Sequence, residues 1–162
     1  MKDIYLYENS NVLKNKLNII DKSELETVEA DFLSYRIIEL DTLILNVTIS
    51  VDFLKEIHKH LFQDIYDWAG EFRKIDIEKY EDVLGGLSVK YTEFSKIENE
   101  LVKIFEFINT KNITNMSKEE LVEYITDIAS DMWKIHAFRE RKYKDYNIIY
   151  LQISTQEWDR YK

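Results

Sequence analysis

This chain of 162 residues contains no proline and only three glycines, at positions 70, 85 and 86. Proline and glycine are the residues that interrupt helices and set tight reversals. Their scarcity points to long helices, with sharp turns confined to Gly70 and to Gly85-Gly86. An apolar fraction of 45%, with 14% aromatic residues, belongs to a packed globule and not to a disordered chain. The length suits one domain with a real core. No cysteine is present, so disulfides and thiolate metal sites are excluded, which fits a cytoplasmic setting. A formal charge of −9 disfavours broad nucleic-acid binding through phosphates, yet allows one nucleotide in a locally positive site or beside a divalent ion. No run reaches membrane-spanning length, and Met1-Lys-Asp-Ile lacks the long apolar core of a signal peptide. No membrane partner is expected.

Capping signals and apolar spacing divide the remainder. Ile4 to Leu17 reads as an extended arm docked by its aromatics, with a short turn of helix. Ser23-Glu-Leu-Glu26 has the form of a capping box, and Leu25, Val28, Phe32 and Ile37 follow at helical spacing, predicting a helix over 23–41. Leu43 to Thr48 reads as a connector. Ser50 can cap the next helix, with Asp52 near its positive end and Phe53, Leu54, Ile57, Leu61 and Ile65 as its apolar stripe. Phe72–Ile77 and Leu87–Tyr91, separated by Gly85-Gly86, predict a hairpin over 72–91. Thr92 to Ile108 is helical, with Phe94, Ile97, Leu101, Ile104/Phe105 and Ile108 on one face, and a polar loop follows. Ser117-Lys-Glu-Glu120 is a second capping box, opening a helix that buries Leu121, Ile125, Ile128, Met132 and His136. The tail, 141–162, carries no helical stripe.

Three histidines are the first candidates for chemistry. His58 and His60 are two apart on a helix and cannot form a helical metal pair, so they read as surface or packing residues. His136 lies at a helix end, three residues before Arg139 and four before Glu140, and alone is compatible with a structural or a base role. Glu71 and Arg73 read as a solvated or structural pair, and Trp68 and Gly70 as scaffold.

Two separated stretches narrow this. Leu54-Lys-Glu-Ile-His-Lys-His-Leu-Phe-Gln-Asp-Ile-Tyr-Asp-Trp-Ala-Gly-Glu-Phe-Arg73 resembles the N-terminal signature of the Fic (Fido) domain family, which includes the cell-filamentation-type protein adenylyltransferases. Downstream, His136-Ala-Phe-Arg-Glu140 is similar to the first half of that family's motif, H-x-F-x-D/E-G-N-x-R-x-x-R. The similarity covers about residues 5–140.

The resemblance implies a mainly α single-domain fold with a small β-hairpin flap: an arm over 1–22, a helical core over 23–140 with its flap at 72–91, and an aberrant tail over 141–162. It implies transfer of AMP from ATP, with Mg²⁺, to a Ser, Thr or Tyr hydroxyl of a target protein. His136 would be the catalytic base, Phe138 the loop anchor and Glu140 the metal ligand. Arg139, Arg141, Lys142 and Lys144 would be candidate phosphate contacts. Lys74, Ile75, Asp76 and Ile77 in the flap would align the target segment by main-chain pairing. The family's inhibitory motif, S/T-x-x-x-E-G/N, has no match in this chain. Any such segment is expected beyond this C-terminus or on another chain, such as an antitoxin or other regulator.

After Glu140 the chain departs from the motif. Arg141-Lys142 stands in place of Gly-Asn, Lys144 in place of the first Arg and Asn147 in place of the second. Arg141 carries a Cβ where the motif has Gly, and lysine is no bidentate substitute for arginine. Transfer by this reading frame is therefore expected to be impaired. Two alternatives are a non-catalytic Fic fold that binds a protein, and transfer of a different phosphate-containing group. The codons allowed for Arg141–Tyr150, read from the second base of codon 141, can spell Gly-Asn-Thr-Arg-Thr-Ile-Ile-Ser-Phe. That reading restores the motif through its first Arg and makes a single-nucleotide frameshift one origin of the tail. Loss of the helix that follows the motif would uncover an apolar face, so a homodimer through that C-terminal face, or an unusual contact of the tail with it, is expected.

Overall fold

The computed structural model describes residues 3–40, 48–81, 87–113 and 115–140. Among them are helices α1 (Lys22–Leu40), α2 (Val51–Phe62), α3 (Ile97–Thr110) and α4 (Lys118–Ile135), with strands β1 (Glu78–Glu81) and β2 (Leu87–Lys90). The mainly α architecture with one small hairpin is as expected. Two compact units are distinguished: Met1–Thr48 with Asp52–Glu71, and Ile49–Val51 with Phe72–Lys162.

In the first unit the arm doubles back on itself. Leu6 bridges Leu13, Tyr7 N–H donates to Val12 O at 3.0 Å, and Lys14 N–H donates to Tyr5 O at 2.8 Å. Its described residues contain no helical turn. Asn9 and Asn18 instead turn the chain through the left-handed region, at φ 55° and 57°, which asparagine tolerates. The arm is docked by an aromatic, as expected: Tyr5 lies edge-on to Trp68, centroids 4.9 Å apart, and Trp68 stacks on Tyr66. Asn15 fastens the bend, taking Ile19 N–H on Oδ1 at 2.9 Å and donating from Nδ2 to Leu13 and Ile19 carbonyls.

α1 is capped differently from expectation. Asp21 Oδ1 accepts Glu24 N–H at 2.8 Å, and Ser23 lies inside the helix. An Asp at the cap also places its charge at the positive helix end, an advantage Ser lacks. The buried face runs Leu25, Glu29, Leu33, Leu40, whereas Val28, Phe32 and Ile37 are half-buried. In α2 the expected stripe holds: Phe53, Leu54, Ile57 and Leu61 are buried, and Ile65 beyond the helix is too. His58 is fully buried, its ring stacked on Phe62, and Nδ1 accepts Gly70 N–H at 2.9 Å. His60 belongs to a half-buried cluster with Arg36, Glu39 and Asp64. The packing and surface readings of these histidines are correct.

In the second unit β1 and β2 pair antiparallel, in the register Glu78↔Lys90 to Glu81↔Leu87. The first strand therefore starts at Glu78, not at Phe72. The segment before it is engaged elsewhere: Arg73 N–H donates to Ala137 O at 2.9 Å, and Asp76 Oδ1 accepts Phe94 N–H at 2.8 Å. The Gly85-Gly86 turn lies outside the described residues. A 3-10 turn at Phe94–Lys96 precedes α3, so the α-helix begins later than Thr92 and Phe94 stays exposed. α3 buries Ile97, Leu101, Phe105 and Ile108 and packs on α4. The capping box at Ser117 forms as expected, with Glu120 N–H on Ser117 Oγ at 3.2 Å and Ser117 N–H on Glu120 Oε2 at 2.7 Å. α4 buries Tyr124, Ile128, Met132 and Ile135, with Leu121 and Ile125 only half-buried. The expected tail, and the expected connector from Leu43 to Val47, lie outside the described residues.

Candidate active site

α4 delivers His136. The helix ends at Ile135, and His136 takes the C-cap in the left-handed region, at φ 47° and ψ 63°. That conformation costs a non-glycine residue roughly 1–2 kcal/mol, so other contacts must hold it there. The His136 ring is stacked on Tyr91, centroids 4.4 Å apart and planes 20° from parallel. Tyr91 is itself buried and meets Trp133 edge-on at 5.6 Å. The imidazole is thus held face-on by the residue that ends the hairpin, and His136 remains half-exposed.

The next residues turn inward. Ala137, Phe138 and Glu140 are buried, and the Phe138 ring packs on Phe72 at 5.4 Å. Arg139 is half-exposed in the same turn. Glu140 is only 4% exposed. A carboxylate so buried needs a compensating charge or hydrogen bonds, and a hard divalent cation is one such charge. No group of three or more His, Cys, Asp or Glu side chains that could hold a metal occurs among the described residues. A metal on Glu140 would complete its shell with phosphate oxygens and water, which is the habit of Mg²⁺. Arg141, Lys142 and Lys144 lie outside the described residues.

Among the expected flap residues, Ile75 is buried, Lys74 and Asp76 are exposed, and Ile77 is half-exposed. They form the root of the hairpin, not its ladder. A cleft of about 620 Å³ opens beside Tyr91, with Lys90, Lys96, Lys103 and Lys134 in its wall. Three of these lysines face nearby acids: Lys96 with Glu93, Lys103 with Glu100 and Lys134 with Asp131. Glu93 raises the Lys96 pKa through its hydrogen bond. Three of its four lysines are thus already paired with acids, which makes it a poor phosphate site.

The residue that ties the site together is Arg73, which the sequence reading set aside as part of a structural pair. It is 2% exposed. Nε donates to His136 O at 2.8 Å, Nη1 to Ile75 O at 2.6 Å, and Nη2 to Thr92 O and, at 3.3 Å, to Ile135 O. The only signal in the sequence was its place at the end of the 54–73 signature. Tyr91 was missed as well, because its partner lies 45 residues away.

Residues 48–140 match the model of the Fic/DOC family. The chain is 27% identical over 164 residues to protein adenylyltransferase VbhT of Bartonella schoenbuchensis, covering 98% of this chain and 33% of that one. It is 28% identical over 141 residues to a probable protein adenylyltransferase Fic of Escherichia coli K12, covering 85% of this chain and 65% of that one. It thus spans between a third and two thirds of the length of these relatives. The N-terminal Fic domain of Bep8 from Bartonella sp. 1-1C superposes with a TM-score of 0.80 at 24% identity, covering 94% of this chain and 74% of that one. BepC of Bartonella tribocorum, crystallised with bound AMPPNP, gives 0.79 at 21% identity over 94% of this chain and 77% of that one. At such identities these two structures establish the fold alone. With more than half of its length matched to the family model, the chain belongs to the Fic/DOC family.

Proposed function

We propose that this chain is a Fic-type protein adenylyltransferase whose transfer of AMP from ATP to a target hydroxyl is impaired by its broken phosphate-binding sequence. The observation that carries the reading is the disposition of the three motif residues. His136 is held half-exposed at the end of α4, and Phe138 and Glu140 are buried in the turn behind it. An imidazole in that position can take the proton from a Ser, Thr or Tyr hydroxyl as it attacks the α-phosphate of ATP, with pyrophosphate leaving. Phe138 fixes the turn. Glu140 would hold Mg²⁺, which when bound neutralises phosphate charge. Main-chain groups of Lys74–Ile77 and the β1–β2 hairpin would align the target segment. Bound AMPPNP in the similar BepC supports a nucleotide as the donor.

The impairment rests on Arg141-Lys142 in place of Gly-Asn. A side chain at the Gly position obstructs a nest of backbone N–H groups around phosphate. The same observation favours, as a second reading, a non-catalytic Fic fold that binds a protein partner. The decisive assay incubates the chain with Mg²⁺ and ATP labelled at the α-phosphate. Beside it run a version carrying Gly-Asn-Thr-Arg-Thr at positions 141–145 and a His136→Ala control. Transfer by the repaired version, abolished by His136→Ala, is expected. Equal transfer by the unaltered chain would sink the impairment, and no transfer by either would favour the binding reading. Nucleotide sequencing across codon 141 tests the frameshift: a third-base pattern incompatible with Gly-Asn ends it.

The regulator, the target protein and the homodimer through the C-terminal face stand as proposals in the same sense. Among the described residues no helix is long and apolar enough to cross a membrane. Sedimentation over a wide concentration range tests the dimer, and a monomer throughout would count against it.

A further inference from the structure

We propose that Arg73 is the positioning residue for His136: its guanidinium holds the histidine in the left-handed conformation and ties it to the root of the β1–β2 hairpin. The inference rests on the reading of His136 as the base.

The last carbonyls of any helix lack intrahelical partners. Here Thr92 and Arg73 take up the carbonyls from Lys134 to Ala137. Lys134 O accepts Thr92 N–H at 3.1 Å, and Ile135 O and His136 O accept Arg73 Nη2 and Nε. Ala137 O accepts the Arg73 backbone N–H. The remaining donors of the same guanidinium run to Ile75 O and Thr92 O, on either side of the hairpin. One planar fork therefore joins three separated places: Ile75, Thr92 and the Ile135–His136 turn. A lysine has a single nitrogen and cannot span them.

The ion pair with Asp76 is a loose one, 3.7 Å from Nη1 to a carboxylate more than half exposed. Burying a guanidinium is costly, and apolar replacements of buried ions are often neutral or stabilising. Attraction to the negative end of α4 offsets part of the cost. What an apolar side chain would not supply is a fixed carbonyl direction at His136. A strained residue persists only where its surroundings over-determine it, and Arg73 contacts the carbonyls on both sides of the His136 Cα, at Ile135 and at His136 itself.

The test follows His136 by NMR in the unaltered full chain and in Arg73→Met and Arg73→Lys, with Ser117→Ala as a control that weakens α4 at its far end. In the unaltered chain the His136 imidazole protons carry a ring-current shift from Tyr91, and its carbonyl carbon reports the left-handed backbone. Both Arg73 variants are expected to stay folded and to lose both signatures. Exchange of the Thr92 amide should speed about tenfold as its neighbouring carbonyl is released. Ser117→Ala should leave all three unchanged. Retention of the His136 signatures in a folded Arg73→Met or Arg73→Lys chain overturns the proposal. So does loss of the whole fold in both, which would make Arg73 a stability element only. No nucleotide is needed, so failure of AMP transfer by the repaired chain would defeat the functional reading and leave these shifts intact.

Discussion

The ring of Tyr91 lies face to face with the imidazole of His136, 4.4 Å between centroids, and meets Trp133 edge-on. The contact joins the end of the hairpin to the end of α4. Truncating Tyr91 removes the surface against which the imidazole rests. In the repaired background, Tyr91→Leu is expected to lower AMP transfer about tenfold, the equivalent of about 1.4 kcal/mol of lost orientation. Tyr91→Phe keeps the ring and should retain nearly full activity. Equal loss in both variants would show that the hydroxyl, not the face, is what matters.

Gly70 presents a steric prediction in the first unit. Its φ is 86°, and an added Cβ would lie 2.9 Å from Lys59 Cβ and 3.0 Å from Lys55 O. The backbone term alone costs roughly 1–2 kcal/mol, and the clash with α2 adds to it. Gly70→Ala should therefore lower stability by about 2 kcal/mol or more in denaturant titration. It should also disturb His58, whose Nδ1 accepts Gly70 N–H. An unchanged denaturation midpoint would mean that the turn relaxes freely.

Much of the fold was legible because its signals are local. Gly70 stood alone in a chain short of breakers, and its positive φ follows from that role. The stripe of α2 and the Ser117 capping box depend on residues within one or two helical turns, and both formed as expected. What the sequence hid is what depends on distant partners. The strand expected at Phe72 gives way because Arg73 and Asp76 bond to Ala137 and Phe94, 64 and 18 residues away. Asp21 displaced Ser23 as the cap of α1 because two capping residues stood in competition and only three-dimensional placement decides between them. At the site, the motif named His136, Phe138 and Glu140, but only the fold revealed Arg73 and Tyr91 behind them.

The capping box at Ser117 gives a prediction confined to one helix end. Ser117 lowers the Glu120 pKa through its backbone N–H and its side chain, so the box is strongest with the carboxylate ionised. Ser117→Ala removes the acceptor for Glu120 N–H and should cost about 1 kcal/mol. Thermal unfolding would register it. A loss of AMP transfer in the repaired background without a fall in Tm would be unexpected, because His136 lies at the opposite end of α4.

The Arg36 cluster gives the first unit a pH-dependent contribution to stability. Arg36 grips Asp64 with two hydrogen bonds, Nε to Oδ2 at 2.7 Å and Nη2 to Oδ1 at 2.9 Å, and reaches Glu39 with Nη1 at 2.8 Å. Hydrogen bonding to Arg36 is the leading cause that depresses both carboxyl pKa values. A carboxyl with a depressed folded pKa stabilises the fold fully above its unfolded value, about 4. That contribution fades as the pH falls through the lower folded value, because the proton then neutralises the bonded carboxylate. For a bidentate pair this close to solvent, Arg36→Met should cost about 1 kcal/mol at pH 7. The gap between variant and unaltered chain should narrow steadily below pH ~4. High salt should narrow it only partly, since a half-buried pair is screened less than an exposed one. A gap that stays constant through the acid range would assign the cost of Arg36→Met to lost packing of the arginine stem and not to its charge.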